Sequence, residues 1–175
     1  MGYSSKRVLA ALFTVVMFAS AQSSKEARAR ETQARGYWVD PSTGLMWAGK
    51  DNGKDVNWRT ATKYCRDLRL GGYSDWRLAT IDELEGIYDS TANAPGLGSG
   101  KHGDEASTWH VKGNLFLTGN QWSSTQRTDD RGRSNGLVWY FDFWNKYKGS
   151  DDGSRFSGHF ADYNRRALCV RQSGQ

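Results

Sequence analysis

Residues 58–84, WRTATKYCRDLRLGGYSDWRLATIDEL, contain the strongest local structural signals in this chain. Asn57, directly before them, is a favourable helix N-cap. Apolar or small side chains then recur on one helical face, at Trp58, Ala61, Cys65 and Leu68. We therefore predict a first helix that begins at Trp58 and ends at Gly71-Gly72, because glycine is a poor helix former.

A second, shorter helix is predicted directly after Thr80. Thr80 and Glu83 have the spacing of a capping box, in which each side chain can accept a hydrogen bond from the other residue's backbone N–H. Ile81, Leu84 and Tyr88 would then form the buried face of this helix.

The rest of the chain is mostly typical of strands. Tyr37–Asp40 and Leu45–Ala48 flank a turn that contains Pro41 and Gly44. Later strands are predicted from residue 120, around the alternating Trp139, Phe141 and Phe143, and over 167–171, with a loop at 89–113 and a polar turn at 145–153. Strands gathered after two early helices indicate an α+β domain.

The first 21 residues have the organisation of a secretory signal peptide. Lys6 and Arg7 precede the apolar run of residues 8–18, and Ala19-Ser20-Ala21 matches the small-x-small cleavage pattern. An uncleaved membrane anchor is the alternative, but the run is shorter than the roughly 20 residues that span a bilayer. We expect a secreted, periplasmic or cell-surface protein with no stable membrane span after cleavage.

The chain has two cysteines, Cys65 in the first predicted helix and Cys169 in the last predicted strand. Disulfides persist in the oxidising space to which an exported protein is delivered. We therefore expect a bond between these two residues.

Charge argues against nucleic acid as a partner. The formal net charge is +5, and loss of residues 1–21 removes Lys6 and Arg7 and no acid, which leaves +3. That excess is small compared with the dense cationic surface of a nucleic-acid-binding protein. Residues 22–36 are polar and aperiodic, so we expect a flexible lead-in before one folded domain over 37–172.

Five segments together resemble one known family. They are TGLMWA, the 58–84 stretch quoted above, QWSST, WYFDF and ALCVR. They are similar to the Lcl C-terminal domain family, the C-terminal domain of collagen-like adhesins, over about residues 37–171. This resemblance implies a C-type-lectin-like fold, with two N-terminal helices on twisted antiparallel strands and a disulfide from the first helix to the last strand.

The resemblance also implies binding rather than catalysis, with sulfated glycosaminoglycans as ligands, an adhesin-like role and no cofactor. The chain lacks the Gly-X-Y repeat, so neither a collagen stalk nor a trimer follows from the resemblance. The Glu-Pro-Asn and Trp-Asn-Asp signatures of calcium-dependent lectins are missing too. Calcium remains an alternative ligand for one set of oxygen-bearing side chains: Asp129, Asp130, Asn135, Asp142, Asp151 and Asp152.

Cationic side chains are the candidate contacts to an anionic glycan. They lie in two predicted loops and before the last strand: Arg127, Arg131, Arg133, Lys146, Lys148, Arg165 and Arg166. Arginine binds sulfate and carboxylate groups well. The alternative is that these are ordinary solvated charges, neutralised by nearby acids such as Asp129 and Asp151.

Aromatic side chains could stack on sugar rings where they are exposed. Trp109, Trp144 and Tyr147 lie in predicted loops and are the candidates for this role. The remaining tryptophans that we assign to the core are Trp38, Trp47, Trp58, Trp76 and Trp139.

Two other classes of function stay open. The lectin-like framework is shared with formylglycine-generating oxidases, but those enzymes need a reactive cysteine pair. A serine hydrolase is not indicated either, because the spacing of the sequence marks no histidine as a partner for Ser123 or Ser124. His102, His110 and His159 are too scattered to predict a zinc site. The third class is a structural or protein-binding module that docks on a surface protein.

Overall fold

The computed structural model describes residues 26–27, 29–98, 106–153 and 165–174. The predicted signal peptide, His102 and His159 lie outside these residues. Helices α1 and α2 span Trp58–Asp67 and Ile81–Gly86. The strands are β1 Tyr37–Val39, β2 Leu45–Ala48, β3 Arg77–Leu78, β4 Ala94–Leu97, β5 Ala106–Trp109, β6 Asn120–Thr128, β7 Ser134–Asp142, β8 Tyr147–Asp151, β9 Arg165–Arg166 and β10 Cys169–Gln172.

Both predicted helices begin at the predicted caps. The Asn57 side chain accepts the backbone N–H of Thr60 at 2.8 Å, and the capping box at Thr80 and Glu83 forms both of its hydrogen bonds. Helix α1 ends at Asp67, earlier than predicted, so the Gly71-Gly72 pair lies in the connection that follows it.

The strands form two four-stranded sheets and one hairpin. The first sheet has the order β1-β2-β10-β3 and is antiparallel throughout. The second has the order β8-β7-β6-β9, in which the short β9 runs parallel to β6. Strands β4 and β5 pair with each other. The α+β class is confirmed.

The second sheet separates two hydrophobic clusters. Phe141 and Phe143 belong to the first cluster, which includes Leu84 of α2, and Trp139 packs against it. Val138 belongs to the second cluster, which includes Ala61 and Cys65 of α1, and Tyr140 packs against it. Because successive strand residues point to opposite faces, β7 contributes to both clusters.

The predicted disulfide is confirmed. Cys65 of α1 is bonded to Cys169 of β10, with their Cα atoms 5.3 Å apart, and both residues are fully buried. The bond ties α1 to the central region of the first sheet, where β10 lies between β2 and β3.

Three segments differ from the sequence prediction. The predicted loop over 89–113 contains the β4–β5 hairpin, and the predicted polar turn over 145–153 contains β8. Within the predicted flexible lead-in, residues 29–35 are helical, and the side chain of Thr32 is buried. No helix in the described ranges is both long and apolar enough to cross a membrane.

Candidate functional site

The predicted arginine loop is divided by the structure. Arg127 lies on strand β6, while Arg131 and Arg133 lie at the turn into β7. Asp129 accepts the backbone N–H groups of both turn arginines at 2.9 Å, and the Arg133 guanidinium bonds the same carboxylate at 3.0 and 2.9 Å. The backbone N–H of Arg133, more than any other contact, lowers the pKa of Asp129. Arg133 is therefore already neutralised within the turn.

Arg127 and Lys148 flank the half-buried ring of Trp139. The three residues come from the adjacent strands β6, β7 and β8. The guanidinium carbon of Arg127 and the Nζ atom of Lys148 each lie 5.5 Å from the Trp139 ring centroid. At this separation a cation is attracted to the face of an indole ring, which holds both charged groups at the surface.

Lys146 continues this arrangement toward the β7–β8 turn. Its Nζ atom lies 5.4 Å from the centroid of the Tyr88 ring, and its backbone has a positive φ of 53°. Tyr88 is held in turn by edge contacts with Phe141 and His110. We call Tyr88, Arg127, Trp139, Lys146 and Lys148 the cation–aromatic strip.

The charge of the strip is only partly neutralised. Lys148 forms an ion pair with Glu85 at 2.5 Å, and Arg127 donates a hydrogen bond to the Ser150 hydroxyl at 3.3 Å. Neither Arg127 nor Lys146 has an acidic partner among the described residues. The strip can therefore accept sulfate or carboxylate groups, and since it is exposed, such contacts would weaken as salt rises.

The three predicted stacking aromatics have different environments. Trp144 and Tyr147 are exposed, with 51% and 55% of their surface accessible. The prediction that Trp109 is exposed is wrong. It lies in β5 at 0% accessibility, and its indole N–H donates to the Leu97 carbonyl at 3.1 Å. Trp109 instead supports Trp144 through an edge contact with a centroid separation of 6.1 Å.

The predicted core tryptophans fall into two groups. Trp47 and Trp76 are buried, whereas Trp38, Trp58 and Trp139 are partly buried and pack against the two clusters. Trp139 was assigned to the core from its strand position, so sequence analysis missed its surface contacts with Arg127 and Lys148.

Arg165 and Arg166 are not surface cations, contrary to the prediction. Arg165 is buried, lies 3.5 Å from the Tyr140 ring centroid and pairs with Asp151 at 3.2 Å. Arg166 is buried as well and pairs with Asp55. Because both side chains are buried and form ion pairs inside the domain, a polysaccharide cannot reach them.

The acids considered for calcium do not form one group. Asp129 precedes β7 and Asp142 ends it, so the length of a nine-residue strand separates them. In the described part of the chain, no three His, Cys, Asp or Glu side chains are arranged to hold a metal ion. Asp51 is a buried acid whose pKa is raised by burial, and it accepts hydrogen bonds from Gly53, Thr118 and Gln121.

The residues considered for catalysis have structural partners. Both cysteines are consumed by the disulfide. Ser123 is fully buried and its hydroxyl accepts the Thr125 N–H at 3.2 Å, and the backbone N–H of the exposed Ser124 donates to the Ala79 carbonyl at 2.7 Å.

Comparison with known protein families identifies a domain that covers most of this chain. The sequence model of the Lcl C-terminal domain matches residues 36–171 of this chain, which include both cysteines and the whole cation–aromatic strip. A search among curated proteins found no match.

Proposed function

Because the chain belongs to the Lcl C-terminal domain family, we propose that it is an exported, non-catalytic binding domain for anionic extracellular glycans. The favoured ligand is a sulfated polysaccharide, and the role is that of an adhesin-like module. Within this proposal the domain is C-type-lectin-like, and its location is secreted, periplasmic or at the cell surface.

The observation that supports the proposal best is the cation–aromatic strip. Arg127 and Lys148 flank one aromatic ring, and Lys146 lies over a second. Cations held at neighbouring positions on a surface can contact successive anionic groups of one polymer, at a smaller entropic cost than freely moving side chains. The exposed Trp144 lies in the same β7–β8 turn as Lys146 and offers a ring face to the sugars, whereas Tyr147 contacts Tyr140 on the other face of the sheet.

The double substitution Arg127→Gln with Lys148→Gln tests the proposal. We expect affinity for a sulfated polysaccharide to fall by about tenfold or more, which corresponds to roughly 1.4 kcal/mol of binding free energy. Binding of the unchanged protein should decrease steeply between two salt concentrations and should resist a calcium chelator. A glycan array followed by titration of the best ligand measures all three.

The matched control is Arg30→Gln with Arg35→Gln, which removes the same charge from two exposed arginines that pair with Glu26 and Glu31. Equal losses in the two double variants would indicate a general effect of net charge and would contradict a defined site.

A protein-binding envelope module is the second candidate, favoured by the exposure of Trp144 and Tyr147. In that case a purified partner should lose affinity when both aromatics are replaced by alanine, because interface energy concentrates in large aromatic anchors. Its binding should be indifferent to salt and to the Arg127 and Lys148 substitutions. The third candidate, an oxidase with a reactive cysteine pair, has no free thiol to use.

A further inference from the structure

A concavity of about 460 Å³ lies on the outer side of helix α1, between the helix and residues 52–56. The side chains of Thr60, Lys63 and Tyr64 line it from the helix, and those of Lys54 and Arg69 line it from the flanking segments. We call these five residues the helix pocket, and the carboxylate of Asp67 also lines the concavity. Hydroxyl, ammonium and guanidinium groups are all hydrogen-bond donors, so the pocket is rich in groups that bind anions.

The positive charge around the helix pocket is not balanced by nearby acids. Residues 51–69 contain five cations, Lys54, Arg59, Lys63, Arg66 and Arg69, and three acids, Asp51, Asp55 and Asp67, of which Asp51 is buried and acts on the pKa of Tyr64. Asp55 pairs with the buried Arg166, and Asp67 pairs with Lys63 and Arg66.

Lys54 and Arg69 are therefore left without an acidic partner in the described part of the chain. Arg69 donates one group, Nη1, to the carbonyls of Leu68 and Arg66 at 3.0 and 3.3 Å, which holds the guanidinium beside the end of the helix. Burial raises the pKa of Tyr64, so its hydroxyl keeps its proton and remains a donor.

The helix pocket and the cation–aromatic strip lie on opposite sides of the second sheet. Helix α1 packs against the face that carries Val138, through Ala61 and Cys65. The strip surrounds Trp139, which packs against the cluster on the other face. One anionic group therefore cannot contact both sites at once.

We propose that the helix pocket is a second, independent binding site for the sulfate or carboxylate groups of an anionic polysaccharide. The class of ligand rests on the proposed function, whereas the site itself rests on the geometry and charge of α1. A single domain with sites on two faces binds two short oligosaccharides, and it can cross-link two polysaccharide chains without oligomerising.

The test counts ligands on the purified protein by calorimetric titration with a sulfated hexasaccharide. We expect two per chain for the unchanged protein. One per chain is expected after Lys54→Gln with Arg69→Gln, one after Arg127→Gln with Lys148→Gln, and none after all four. The Arg30→Gln with Arg35→Gln control should keep two. All substituted side chains are exposed, so an unchanged melting temperature should show that each variant folds.

The outcomes separate this proposal from the proposed function. If the unchanged protein binds one hexasaccharide and the Lys54→Gln with Arg69→Gln variant still binds one, the result overturns the helix pocket and keeps the strip. If the unchanged protein binds one hexasaccharide and only Lys54→Gln with Arg69→Gln abolishes that binding, the result supports the pocket and overturns the strip. Absence of binding overturns both. Binding at the pocket to vesicles of an anionic phospholipid but not to the hexasaccharide also overturns the assignment to polysaccharide.

Discussion

Arg165, Arg166 and Arg171 each place a guanidinium group in the interior of the domain. Arg171 is 1% accessible, donates to Asp75 at 2.7 Å and lies 3.8 Å from the Tyr73 ring centroid. In the sequence Arg165 and Arg166 resemble the cations of the strip, since both sets lie within a few residues of an aromatic residue and an acid. Burial distinguishes them, and burial depends on strand pairing that no short stretch of sequence encodes.

Glu83 is the residue for which we predict a pH-dependent contribution to stability. Burial raises its pKa, but hydrogen bonds from Arg77 and from the Thr80 backbone outweigh burial, so the pKa lies below its ordinary value. A carboxylate with a lowered pKa stabilises the fold above its unfolded-state pKa, and this contribution is lost as pH falls through the folded-state value.

We therefore expect Glu83→Gln to lower the free energy of unfolding at pH 7 by about 1 kcal/mol, a modest value because the ion pair with Arg77 is partly solvated. The difference from the unchanged protein should be smaller at an acidic pH, below the ordinary range of a glutamate, than at pH 7, because Glu83 takes up a proton as pH falls through its lowered pKa. Urea denaturation at both pH values measures it. A difference that is the same at both would contradict this role for the Glu83 carboxylate.

At the level of elements, the sequence predicted what local signals specify. Asn57, Thr80 and Glu83 marked the helix starts because a cap satisfies backbone groups within three residues of itself. Strands β4, β5 and β8 were missed. Their sequences, APGL, ASTW and YKGSD, lack apolar alternation, and their pairing depends on contacts outside each segment.

The β4–β5 hairpin gives a prediction at this scale. A Cβ atom at Gly96 would overlap the indole ring of Trp109 and the carbonyl oxygen of Leu117. That oxygen accepts the backbone N–H of Leu97. We expect Gly96→Ala to lower the free energy of unfolding by about 1–3 kcal/mol, the usual cost of overpacking. Gly86→Ala is the matched control, because no atom lies within 4 Å of the added Cβ there. Chemical denaturation should show little change for the control, and equal effects would refute the packing argument.

For the whole molecule, the α+β class and the disulfide were predictable, and the sheet orders were not. A chain with two cysteines allows one intramolecular pairing, so the sequence was sufficient to predict which residues are bonded. The strip was predicted only in part. Arg127, Lys146 and Lys148 are candidates from their charge, but the sequence assigns Tyr88 and Trp139 to packing, because the cations that contact their rings lie in other segments of the chain.

Removal of the disulfide is the prediction at this scale. Cys65→Ala with Cys169→Ala opens a link between residues 104 positions apart. The chain-entropy model then predicts a loss of about 3–5 kcal/mol in the free energy of unfolding. Denaturant titration measures the loss, and reduction of the unchanged protein should reproduce it. Equal stability of the oxidised and reduced proteins would contradict the prediction.

The same bond determines how the domain would respond to tension between its two ends. A pulling force that reaches Cys65 passes directly through the sulfur atoms to Cys169, so the residues between them carry no load. At roughly 3.3–3.6 Å per extended residue, the 104-residue separation corresponds to about 350 Å of contour length that cannot be released. Under load the oxidised domain would lengthen only through the segments outside the bond, chiefly residues 37–64, which include β1 and β2.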